Sequence, residues 1–140
     1  ASLYTLLNAT LDHLNEADDL SLVARYYEMR LLDIVGFRPE LTECVLTHEP
    51  VQPQNQFFSY AEGGVVSPEA ARHSSGLLPV SVTSLKLMRH LQRSPYVQVH
   101  ELAVPPAIHH DVERLMLGYL SFLLERRLQS VDFIRRIRSG

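Results

Sequence analysis

The chain has 140 residues, 46% of them hydrophobic, and a formal net charge of −3. That length suits one domain with its own core, and no apolar run approaches the ~18 residues that a membrane-spanning helix needs. The single cysteine excludes an internal disulfide framework, so we expect a cytoplasmic protein with no membrane contact.

Charge is uneven along the chain. Residues 1–49 hold nine acidic side chains against three arginines, whereas residues 114–140 hold six arginines against two acidic side chains. The basic end permits a local anionic partner, although the chain as a whole does not attract nucleic acid. Because the chain starts at Ala1, we expect a fragment of a longer protein.

Two amphipathic helices are predicted first, joined as an antiparallel hairpin over residues 1–39. Residues 2–16 repeat leucines at three- and four-residue spacing, and Ser2 can cap the first turn. Residues 20–35 form the second helix, with Asp18 and Asp19 at its positive end and Gly36 and Pro39 ending it. Its predicted buried stripe comprises Val23, Tyr26, Tyr27, Leu31, Ile34 and Val35.

Residues 40–79 change character, because prolines and glycines interrupt them. Short β-like pieces at 56–60 and 64–66 flank a predicted turn at 61–64. We expect this insert to be held by packing of its apolar side chains, namely Phe57, Phe58, Tyr60, Val65 and Val66.

Helices return in residues 80–140. One is predicted over about 82–93, capped by Ser81, and the strongest over about 106–126, with a last helix over about 131–138 capped by Ser130. Residues 94–104 are ambiguous, although Val97 and Val99 alternate like a strand. The predicted fold class is therefore mainly α, a single-domain helical bundle over 1–140 with a small β-rich insert.

Four positions in the insert have the spacing of a structural zinc site. They form two pairs, each separated by two residues, and the list is Cys44, Thr47, Ser67 and Ala70. Only Cys44 can bind as a thiolate, so we expect no metal and no cofactor, and coincidental spacing remains an alternative. A second alternative is a metal held by Cys44, His48, His73 and Glu69.

Three segments resemble the RecO family of recombination mediators. The run RYYEMRLLDIVGFRPELTEC over residues 25–44 resembles the family signature that leads into a zinc-ribbon-like insert. FSYAEGGVV (58–66) is similar to the segment before the second cysteine pair, and YLSFLLERRLQSVDFI (119–134) to the closing helices. Two departures are the missing cysteines and the lack of the family's N-terminal OB-fold, a main surface for single-stranded nucleic acid.

The resemblance implies a non-enzymatic role in DNA repair. Such proteins bind single-stranded DNA and the single-stranded-DNA-binding protein, and assist strand annealing or recombinase loading together with RecR. The helical part would receive the acidic, apolar C-terminal tail of the single-stranded-DNA-binding protein. That tail needs an apolar slot with a cation at its rim, a role for which we nominate Arg25 and Tyr26. The alternative is that Arg25 is a solvated surface residue and Tyr26 an ordinary core residue.

Two basic clusters are candidates for weak contact with DNA phosphates. One lies on a single face of the predicted helix at 82–93 and comprises Lys86, Arg89 and Arg93; the other lies near the C-terminus and comprises Arg126, Arg127, Arg135, Arg136 and Arg138. The alternative for each is an ordinary charged surface.

No enzyme signature stands out. His109 and His110 are adjacent and point apart on a helix, and Ser74-Ser75-Gly76 has no nucleophile-elbow context. A different class of function remains open, namely a structural or homo-oligomerising module that supports a missing OB-fold domain.

Overall fold

The computed structural model describes residues 2–16 and 20–139, without the side chains of residues 11–16, 132–134 and 139. The elements in chain order are α1 (Leu3–Glu16), α2 (Leu20–Ile34), β1 (Gln56–Ser59), β2 (Gly64–Val66), α3 (Pro68–Ala71), β3 (Leu78–Val80), α4 (Val82–Arg93), α5 (Tyr96–Val99) and α6 (Pro106–Ser139). The mainly helical class with a small β insert is confirmed. The roles predicted for Asp18 and Asp19 lie outside the described residues.

The insert forms a three-stranded antiparallel sheet in the order β2-β1-β3. The central strand carries Phe58, which pairs with Val65 on one side and Leu78 on the other. Phe58 is fully buried, and its ring centroid lies 5.5 Å from that of Tyr119 on α6. The insert therefore shares the core of the helical body, and burying such a ring contributes roughly 1.5–3 kcal/mol.

The core lies where α2, α4 and α6 pack together beside the sheet. On α4, the buried side chains include Leu85, Met88 and Leu91. Ser81 caps this helix, because its side-chain oxygen accepts a hydrogen bond from the Ser84 amide at 3.1 Å.

The buried stripe of α2 differs from the predicted one. Ile34 and Val35 are 41% and 49% exposed, whereas Leu22, Met29 and Leu32 are buried. The prediction was wrong at these positions because α1, α4, α5 and α6 surround α2 through its middle, and the chain leaves the body after Leu32. There Gly36, with φ +86°, ends the helix, and the Phe37 amide donates to the Leu32 carbonyl at 2.8 Å.

The C-terminal segment is one helix and not two. α6 continues through residues 127–130, so Ser130 lies inside it and caps nothing. No proline or glycine interrupts the chain after Gly118 until Gly140, and leucine, arginine and glutamine are good helix formers. The strand-like alternation of Val97 and Val99 was also misleading, because these residues belong to the short helix α5.

Candidate functional site

An open apolar groove runs between α1 and α2. It has a volume of about 310 Å³, and its lining residues are Leu3, Leu6, Leu7, Thr10, Ala24, Tyr27, Glu28 and Leu31. Leu3 and Leu7 are more than half exposed, so the groove opens to the surface. The Thr10 hydroxyl donates to the Leu6 carbonyl at 2.7 Å, so its proton already has an acceptor within α1. The groove therefore suits the aliphatic or aromatic side chains of a peptide.

Arg25 is not among the residues that line this groove; it is only 6% exposed and pairs with Glu28, which does line it. Its Nε is 2.5 Å and its Nη2 2.8 Å from the two carboxylate oxygens of Glu28, while its Nη1 is 3.4 Å from Glu113 Oε1. Burial raises the pKa of Glu28, although Arg25 favours the charged carboxylate. An incoming carboxylate would have to replace one glutamate, and Glu113, 45% exposed, is the accessible one.

Tyr26 is a core residue and does not line the groove. Its ring packs edge-on against Tyr27 at 4.9 Å and Tyr96 at 5.6 Å, and the guanidinium carbon of Arg30 lies 4.6 Å above it. Arg30 donates to the carbonyls of Gln92 and Ser94, both at 2.7 Å, where a cation stabilises the C-terminal end of α4. Tyr26 thus supports the groove through Tyr27. The role of Arg25 and Tyr26 in binding a tail stays a prediction.

A second groove, of about 220 Å³, combines aromatic rings with arginines. Its lining residues are Gly36, Phe37, Arg38, Tyr60, Ala61, Glu62, Gly63, Tyr119, Leu123 and Arg126. Phe37 is 48% exposed, whereas Tyr119 is buried, stacks on Tyr60 and donates its hydroxyl to the Phe37 carbonyl at 3.1 Å. An exposed ring beside two arginines suits single-stranded nucleic acid. The sequence nominated only Arg126 here, because residues 36–38 meet α6 through the fold alone.

The other predicted DNA-binding residues have different surroundings. Lys86 and Arg93 are exposed on α4, but Arg89 is half-buried and its Nε donates to the Leu41 carbonyl at 2.8 Å. Arg89 therefore holds the start of the insert against the body. We call residues 124–139 the far part of α6. Its exposed arginines are Arg126, Arg127, Arg135, Arg136 and Arg138.

The four knuckle positions (Cys44, Thr47, Ser67 and Ala70) come together in the insert. Cys44 is buried, and its sulfur accepts a hydrogen bond from the Ser67 amide at 3.4 Å, while Ser67 caps α3 by accepting from the Ala70 amide. Burial raises the pKa of Cys44, but hydrogen bonds from the Ser67 amide, the Thr47 side chain and the amides of residues 46 and 47 lower it to about 7. His48 follows with φ +62°. The arrangement forms a tight turn around one sulfur.

A sequence model of the family described as "Recombination protein O C terminal" matches residues 1–132. The chain belongs to the RecO family. It is 35% identical over 135 residues to the DNA repair protein RecO of Roseiflexus sp. (strain RS-1), which covers 96% of this chain and 48% of that protein. The RecO proteins of Dehalococcoides mccartyi (strain 195) and Symbiobacterium thermophilum are 28% and 30% identical, over 89% and 98% of this chain and 49% and 55% of theirs.

The chain thus spans about half the length of the RecO relatives it matches. No solved structure matches it. Within the described residues of this RecO chain, no group of three or more His, Cys, Asp and Glu side chains could hold a metal ion. The alternative set Cys44, His48, His73 and Glu69 is therefore not assembled. In the same part of the chain, no helix is both long and apolar enough to cross a membrane.

Proposed function

We propose that this chain is the helical C-terminal part of a RecO-type DNA repair and recombination mediator with no catalytic site of its own. In this proposal, the groove between α1 and α2 receives the acidic, apolar C-terminal tail of the single-stranded-DNA-binding protein. Assistance of strand annealing or recombinase loading together with RecR belongs to the same proposal and is supported by family membership alone.

The observation that supports tail docking is the combination of an open apolar groove with a buried guanidinium that pairs with Glu28, one of the residues lining the groove. Leu6 and Leu31 would contact the apolar side chains of the tail. A terminal carboxylate would approach Arg25 Nη1 in place of Glu113, which now lies 3.4 Å away. A charge-assisted hydrogen bond of this kind is stronger than a neutral one, particularly at a buried guanidinium.

The test is titration of dilute chain with a fluorescent peptide of the acidic tail. Leu31→Glu should weaken binding at least about tenfold, which corresponds to about 1.4 kcal/mol, because it places a charge where the apolar groove would contact the peptide. Leu46→Glu, on a 40% exposed leucine in the insert, is the matched control and should bind normally. Glu113→Gln should strengthen binding, since it removes the competing carboxylate. Absence of saturable binding, or no effect of Leu31→Glu, would contradict the proposal.

A second candidate function is weak contact with single-stranded DNA in the second groove, favoured by exposed Phe37 beside Arg38 and Arg126. Phe37→Ala should weaken binding of a short oligothymidine at every salt concentration, because stacking is lost. Arg126→Ala should weaken binding mostly at low salt, because phosphate contacts are screened. Lys86→Ala on α4 reports whether the other cluster contributes. Tight, salt-resistant binding by the Phe37→Ala variant would contradict the assignment.

The alternative from a different class is a structural or oligomerising module that supports an OB-fold domain. It predicts that the chain binds neither the acidic tail nor the oligothymidine. Saturable, groove-dependent binding of either probe would overturn this alternative.

A further inference from the structure

The side of α6 that faces away from the body carries a row of exposed aliphatic side chains. We call it the outer stripe, and its members are Leu117 (43% exposed), Leu124 (62%), Leu128 (60%) and Val131 (40%). At about 100° per residue, these positions fall on one side of the helix, whereas the buried Val112, Leu115 and Tyr119 fall on the other. Spacings of seven and three or four residues are those of a helix that packs against another helix.

The outer stripe is complementary to itself about Leu124. In an antiparallel pair of α6 helices centred there, Leu124 meets Leu124 and Leu117 meets Val131 of the second copy. This follows because Leu117 lies seven residues before Leu124 and Val131 lies seven residues after it. A two-fold interface requires this relation, because each contact must occur twice with the roles exchanged.

The charged side chains of α6 favour an antiparallel over a parallel pair of helices. The same register that pairs Leu117 with Val131 brings Glu113, whose carboxylate also lies 3.4 Å from Arg25 on its own chain, opposite Arg135 at both ends of the stripe. A parallel pair would instead set the arginines at 135, 136 and 138 beside their own copies, and like charges at close range oppose association. Antiparallel helices also place opposite ends of their dipoles together.

We propose that two copies of this chain associate through the outer stripe of α6, antiparallel, with Leu124 on the two-fold axis. The stripe then becomes a buried seam with a glutamate facing an arginine of the other copy at each end. Arg126 and Arg136 project from other sides of the helix, so the pair leaves them accessible to anions.

Disulfide trapping tests which residues of the two α6 helices face each other. Under mild oxidation, Leu124→Cys should form a covalent dimer with itself. Leu117→Cys and Val131→Cys should each fail to do so, because each lies about 21 Å from its own copy at 1.5 Å rise per residue, well beyond disulfide reach. An equimolar mixture of these two variants should cross-link to each other. The parent chain is the control, since its Cys44 is 1% exposed.

Sedimentation equilibrium reads out the association itself. The parent chain should dimerise in the high-micromolar range, and Leu124→Asp should be monomeric while keeping its helical circular dichroism. Val97→Asp, on a 67% exposed valine of α5, is the matched control and should still dimerise. A monomeric parent, a dimer that survives Leu124→Asp, or self-linking of both Leu117→Cys and Val131→Cys would overturn the proposal.

Discussion

The insert around Cys44 and the far part of α6 are opposites. In the insert, a hydrogen bond from the Ser67 amide reaches the buried sulfur of Cys44, but three of the four positions with zinc-site spacing have no thiolate. The far part of α6 has the side chains of a binding surface, aliphatic and cationic, but no surrounding core. The insert is thus held by packing and hydrogen bonds within the chain, whereas an exposed helix face offers chemistry that only a partner can organise.

The largest expected effect is on zinc binding by the insert, after cysteines are introduced at the three positions that lack them. A variant with Thr47→Cys, Ser67→Cys and Ala70→Cys should bind about one zinc per chain, since four thiolates at these positions satisfy a tetrahedral site. Zinc should raise the unfolding temperature of this variant strongly, because binding energy becomes folding energy. Elemental analysis and thermal melts with and without chelator are the measurements.

The parent chain and a variant carrying only Thr47→Cys are the controls for zinc binding. A triple variant that folds but binds no zinc would contradict the zinc-ribbon interpretation of the insert.

The next effect compares packing in the two regions directly. Phe58→Ala should destabilise the chain by about 3–5 kcal/mol, because it empties the contact between the sheet and Tyr119. Leu128→Ala, on the far part of α6, should change stability by less than about 0.5 kcal/mol in dilute solution, because the side chain is 60% exposed. Urea unfolding of both variants measures the difference. Equal losses would show that the insert does not share the core.

A smaller effect concerns the pH dependence that Cys44 confers. Its pKa is lowered to about 7 in the folded chain, from an ordinary value of 9.0. The thiolate therefore stabilises the fold above about pH 9, and this stabilisation is lost as pH falls through 7. At about 1.36 kcal/mol per pKa unit, it amounts to no more than ~2–3 kcal/mol.

The measurement is urea unfolding between pH 6.5 and 9.5, with Cys44→Ala as the reference that lacks the thiol. The stability of the parent chain should rise with pH relative to that of the variant. Parallel pH profiles would contradict a lowered pKa.

Local patterns in the sequence predicted much of the fold. The bounds of α4 and the hairpin of β1 and β2 follow from caps, periodicity and turn residues. Each of these signals involves residues only a few positions apart in the sequence. The continuity of α6 through Ser130 did not follow, because a serine is tolerated inside a helix as well as at its cap. The exposure of Ile34 depends on where neighbouring helices end, which no local pattern contains.

The candidate sites were less accessible to sequence reasoning. Arg25 was nominated as a cation at the rim of a slot, but its partner Glu113 lies far along the chain, and only the fold brings them within 3.4 Å. Arg30, which supports Tyr26 and the end of α4, was passed over for the same reason. The second groove depends on the approach of Phe37 to Arg126.

Docking of the acidic tail between α1 and α2 is the central proposal, and methyl NMR of leucine-labelled chain tests it most directly. Titration with the tail peptide should give saturable shifts of the Leu6 and Leu31 methyl groups and leave those of Leu124 and Leu128 unchanged. Shifts confined to Leu124 and Leu128 would place the tail on the far part of α6 and contradict docking between α1 and α2. Absence of any saturable shift would contradict it equally.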